Sequence, residues 1–141
     1  MTIAGCFNKN IFDLMTESAH TFYPTGSRYF GGSTSTSDYD FYASDEGNVR
    51  QWLRNLDFTN NLGTITYDED LFASIMMERH DPKYGVIHIQ LIPRDKIDLK
   101  TKAQTIVDSM DMCHMLKDKP MAKIMWKIAS NLAKNARIAV R

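Results

Sequence analysis

The chain has 141 residues, with 43% hydrophobic and 24% charged side chains, and its 17 basic and 17 acidic residues cancel. That length suits one domain with a sizeable core, and zero net charge excludes a global field that would recruit nucleic acid. No apolar stretch approaches about 20 residues, so no membrane span is expected.

The first expected element is a helix over residues 10–19, NIFDLMTESA, where Ile11, Leu14, Met15 and Ala19 recur at helical spacing. TFYPTGS then reads as a short strand running into a turn at Gly26. GGSTSTS has loop composition. Residues 38–44, DYDFYAS, alternate as a strand, with Tyr39, Phe41 and Ala43 on one side and Asp38, Asp40 and Tyr42 on the other. A helix is expected from Gly47 to Leu56, capped by Ser44 or Asp45, with Val49, Trp52 and Leu53 as its apolar stripe. GTITYDED is either a short strand or an extended connection. FASIMMERH and GVIHIQLI, joined by DPKYG, form a hairpin pattern whose turn holds Pro82 and Gly85, with His80 and Asp81 belonging to that turn.

Two helices close the chain. Asp98 is a candidate cap for the first, whose buried face would be Leu99, Ala103, Ile106, Val107, Met110 and Cys113. Pro120 suits the first turn of the second, with Met121, Ile124, Met125, Ile128 and Leu132 as its apolar stripe. The whole is an α+β domain over residues 1–141: a small mixed sheet of about four to five strands with helices packed on it, a core over 8–98 and C-terminal helices over 99–139.

Cys6 and Cys113 lack metal-ligand spacing and read as free thiols. The N-terminal stretch has no basic region followed by an apolar run, so a signal peptide is not expected and the cytoplasm is the expected address. From Lys117 to Arg141 there are seven basic residues and one acidic, leaving ten basic against sixteen acidic elsewhere. A solvated basic face is the ordinary reading. Contact with nucleic acid or an acidic partner is the less favoured one.

Two carboxylates at i and i+2 of one strand share a face, roughly 6 to 7 Å apart. Their repulsion calls for a cation. Mg²⁺, or Mn²⁺ in its place, suits hard oxygen ligands and is commonly shared between one or two carboxylates and a substrate's phosphates. Gly26 tolerates unusual backbone angles, and successive amides at such a corner can cradle an anionic oxygen. The Ser27 hydroxyl adds a donor and Arg28 a charge.

Residues 26–41, GSRYFGGSTSTSDYDF, resemble the signature of the DNA polymerase β-like nucleotidyltransferase superfamily: Gly-Ser, about ten residues, then Asp-x-Asp on a strand. Arg28 and Ser37 match the minimal nucleotidyltransferases within it, and the flanking sequence resembles small nucleotidyltransferase-like proteins of tailed bacteriophages, whose address would be the host cytoplasm. The resemblance implies a nucleotidyltransferase fold that moves a nucleoside monophosphate from an NTP to an acceptor with Mg²⁺. It implies Asp38 and Asp40 as catalytic metal ligands, and Gly26, Ser27, Arg28 and Ser37 as nucleotide-binding residues.

Relatives of that type usually carry a third carboxylate on a later strand, a few residues before a proline. Gln90 stands three residues before Pro93, on the same strand face as His88, and neither is acidic. Gln90 is thus the expected third site residue, with His88 beside it. An amide brings no charge and cannot act as a general base. The alternative is therefore a catalytically weakened nucleotidyltransferase fold that binds a host or partner protein.

Overall fold

A computed structural model describes residues 10–26, 29, 34–61, 63–65, 73–110, 124 and 126–133. Ser27, Arg28, Cys6, Cys113, Pro120, Met121 and Met125, and the side chain of Met110, lie outside the described residues.

Helix α1 (Ile11–Glu17) starts at Asn10, whose side chain accepts the Phe12 N–H at 2.9 Å. Strand β1 (Tyr23–Thr25) ends at Gly26, where φ is +75°. Strand β2 (Tyr39–Asp45) follows, then helix α2 (Val49–Asn55). Strands β3 (Thr64–Ile65), β4 (Ser74–Asp81) and β5 (Gly85–Pro93) come next. A 3-10 turn (Arg94–Lys96) leads into helix α3 (Ile97–Met110), and residues 126–133 are helical again. The strands form one sheet in the order β1-β2-β5-β4-β3. Only β2 and β5 pair in parallel, so the sheet is mixed, as expected.

The alternation expected for β2 holds. Phe41 and Ala43 share their face with Ile87, Ile89, Leu91 and Met77, and Ile11, Met15, Val49, Leu53 and Leu56 of the first two helices pack there. Burying a side chain of this size contributes about 1.5 to 3 kcal/mol, which makes this cluster the main core. On the opposite face Tyr42 and Ile92 form a second core with Leu99, Ala103 and Ala133. The buried Lys100 ties the two C-terminal helices, its ammonium 4.2 Å from the Trp126 ring centroid. Among the described residues no helix is long and apolar enough to cross a membrane.

Three local expectations are corrected. Neither Ser44 nor Asp45 caps α2, because both belong to β2 and Gly47 has φ +60°, so the helix begins only after Asn48. Asp45 instead accepts a hydrogen bond from Arg50 Nε at 2.9 Å. Asp98 does not cap α3, because the 3-10 turn starts the helix earlier and leaves Asp98 in the first turn. The described residues of the apolar stripe expected for the last helix are not buried: Ile124, Ile128 and Leu132 are 53%, 44% and 49% exposed. That helix seats its small residues, Ala129, Ser130 and Ala133, against the domain because they allow close approach, and Trp126 packs beside them.

The hairpin turn is locked from below. Arg79 and Asp81 form a buried ion pair at 3.0 Å, and Asp81 Oδ2 also accepts the Lys83 and Tyr84 amides at 2.9 and 3.0 Å. Burial pushes the Asp81 carboxyl up, but the Tyr84 and Lys83 amides and Arg79 outweigh it, so its pKa lies below the usual range.

Candidate functional site

Among the described residues the second core packs at the Tyr42 and Ile92 end of its sheet face. At the other end stand Asp40 of β2, His88 of β5 and Asp38, which lies just before β2 and not on the strand as expected. The register sets Asp40 beside His88 and Tyr42 beside Gln90. The antiparallel partner β4 sets Glu78 beside His88 and Met76 beside Gln90.

The glycine corner and the acids stand together. Thr25 pairs with Asp40, so Gly26 falls against that aspartate. A Cβ built on Gly26 would lie 2.3 Å from Asp40 Oδ2, and the positive φ disfavours a side chain there independently. The corner is braced from α3. Gln104 Nε2 donates to the Pro24 carbonyl at 2.8 Å, and the Tyr29 hydroxyl donates to Asp108 Oδ2 at 2.8 Å while its amide donates to the Gly26 carbonyl at 3.1 Å. The Asp108 contact foremost, with burial adding, raises the Tyr29 pKa.

Asp38 and Asp40 converge on one atom. His88 Nδ1 lies 3.5 Å from an oxygen of each, and its Nε2 lies 2.8 Å from Glu78 Oε2. Asp38 and Asp40 are 46% and 31% exposed at the side chain, against 18% for His88. The Asp40 carboxylate beside it raises the His88 pKa to about 9; burial opposes, while Glu78 and the charge of Asp38 add. Glu78 is held below the usual carboxylate range, first by His88 and against burial, with His80 helping.

Gln90 lies on the expected face but not where a ligand would reach it easily. It is 5% exposed and its Nε2 donates to Ser74 Oγ at 2.8 Å, placing it in the floor between β5 and β4. Ser37 closes the turn before the acids, its hydroxyl accepting the Thr34 amide at 2.8 Å. Glu78 is the site residue that sequence reading missed. Its signal is the hairpin register: counting back from the Asp81–Gly85 pair at the turn places Glu78 opposite His88.

The site thus brings together a glycine corner, three carboxylates and a histidine. Two carboxylates can share a cation with a phosphate-bearing ligand. Among the described residues no group of three or more His, Cys, Asp or Glu is arranged to hold a metal ion alone. No family model matches the chain, and neither a curated protein nor a solved structure matches it.

Proposed function

We propose that the chain is a nucleotidyltransferase-like domain that binds a nucleoside triphosphate with Mg²⁺ and passes its nucleoside monophosphate to an acceptor. The observation that carries this reading is the contact of Gly26 with Asp40, beside an Asp38 that converges with it on one point. Asp38 and Asp40 would hold the cation, whose remaining ligands come from phosphates and water. Gly26 lets the Asp40 carboxyl lie directly against the corner, whose successive amides could face a phosphate, with Ser27, Arg28 and Ser37 nearby in sequence. When bound, Mg²⁺ supplies charge neutralisation on the phosphates. In the transfer an acceptor oxygen or nitrogen bonds to the α-phosphorus and pyrophosphate leaves. His88 occupies the side of the acids away from the corner, the acceptor side in this reading.

The test is transfer of label from α-³²P NTP with Mg²⁺ in a cell extract. Labelled product made by the wild type and not by Asp38→Ala/Asp40→Ala is the expected result. Identical labelling by both proteins contradicts the reading.

A second reading has its own observation. The third-acid position is Gln90, engaged with Ser74, and the two aspartates face a histidine favoured as a cation. A weakened site on a protein-binding scaffold accounts for both. A stoichiometric partner retained by Asp38→Ala/Asp40→Ala in a pull-down, without label transfer, would favour it.

A further inference from the structure

Glu78 sits in this site through strand pairing alone. Its backbone N–H and C=O both bond to Thr59, each at 2.8 Å. Opposite His88 it therefore stands in a non-hydrogen-bonded pair, the spacing at which antiparallel side chains come closest. One carboxylate oxygen lies 2.8 Å from His88 Nε2 and the other 3.0 Å from His80 Nε2. The carboxylate is thus gripped from two sides and is 19% exposed.

An ionised carboxylate only accepts hydrogen bonds, so the nitrogen that faces it carries a hydrogen. In the histidine cation both nitrogens carry one. In the neutral ring the partner of one nitrogen decides the role of the other. Glu78 at 2.8 Å is a closer acceptor than Asp38 or Asp40 at 3.5 Å. A hydrogen on Nε2 would satisfy that closer contact in either form, and the neutral ring would then turn its Nδ1 lone pair toward the aspartates.

We propose that Glu78 is a positioning residue of this site: it fixes the His88 ring so that Nε2 is always the donor and Nδ1 is the face offered to the acids and the incoming acceptor. The part of this that concerns transfer rests on the nucleotidyltransferase reading; the part that concerns the ring does not. Without Glu78 the acidic partners left to the ring among the described residues are the two aspartates, both on the Nδ1 side. The neutral ring would then carry its hydrogen on Nδ1, with its lone pair turned away from the acceptor.

The experiment is nitrogen-15 NMR of the histidine side chains in the full chain, recorded above about pH 9 where the His88 ring is neutral, wild type and Glu78→Leu, which has no acceptor at that position. The expected result is an Nε2–H tautomer for the neutral His88 ring in the wild type and an Nδ1–H tautomer in the variant. An Nδ1–H tautomer in the wild type overturns the proposal, and that measurement decides even if the variant does not fold. A folded variant that keeps Nε2–H also overturns it. In the transfer assay Glu78→Leu should lower kcat roughly 10-fold or more, with the KM for NTP within about twofold. Adding His88→Gln should bring no further loss, because the two act through one ring. Additive losses contradict the proposal. A wild type that transfers nothing removes the enzymatic reading and leaves the tautomer result to decide the role of Glu78.

Discussion

At the residue scale the site is organised around charge. Asp38, Asp40 and Glu78 face one histidine ring, and their attraction makes its cation the favoured form to about pH 9. An unfolded histidine titrates near 6.5. The folded pKa is raised, so the stabilisation from His88 is complete below about pH 6.5 and is lost as pH rises toward 9. Glu78, held low, contributes in the opposite sense: its share is present above the ordinary carboxylate range and is lost on acidification. Thermal unfolding of the wild type, with no divalent ion added, should therefore lose stability between about pH 6.5 and 9. His88→Gln should flatten that slope, and an unchanged slope would contradict the pairing. Gly26 acts by absence: any Cβ would displace the Asp40 carboxyl.

At the element scale, local pattern and tertiary pairing can be separated. Helix α1, the two faces of β2 and the β4–β5 hairpin were legible in the sequence, because periodicity and turn chemistry state them directly. So was the grouping of Gly26 with the two acids. Glu78 was not, since its place depends on which residue lies across the ladder. Gln90 was assigned to the right face, but its engagement with Ser74 depends on β4 packing beside it. The last helix was misread because it has two apolar faces, one of Ile124, Ile128 and Leu132 and one of small residues. Periodicity favours the larger side chains, whereas packing distance favours the smaller ones. A pair of variants checks which face is inward. Ala133→Leu, at a position 1% exposed, should cost about 1 to 3 kcal/mol by overpacking. Ile128→Lys, at 44% exposed, should change stability by no more than about 0.5 kcal/mol. Urea denaturation reads both, and the reverse ranking would restore the large-residue face as the buried one.

At the scale of the whole molecule, the sheet divides the labour. One face is occupied by the main core and carries the stability. On the other the C-terminal helices pack at the Tyr42 and Ile92 end, and Asp38, Asp40, His88 and Glu78 gather at the other end, with Gln90 buried beside them. Contacts from α3 to Pro24 and Tyr29 tie the covering layer to the glycine corner, so the packing that closes one end also braces the other. The claim on which this account turns is that the corner and the two aspartates act on one ligand. Calorimetric titration of each nucleoside triphosphate, with and without Mg²⁺, tests it most directly. The account predicts saturable Mg²⁺-dependent binding that Asp38→Ala/Asp40→Ala abolishes and that Gly26→Ala weakens at least roughly 10-fold, about 1.4 kcal/mol. Equal affinity in all three proteins, or no binding of any triphosphate by the wild type, would contradict it.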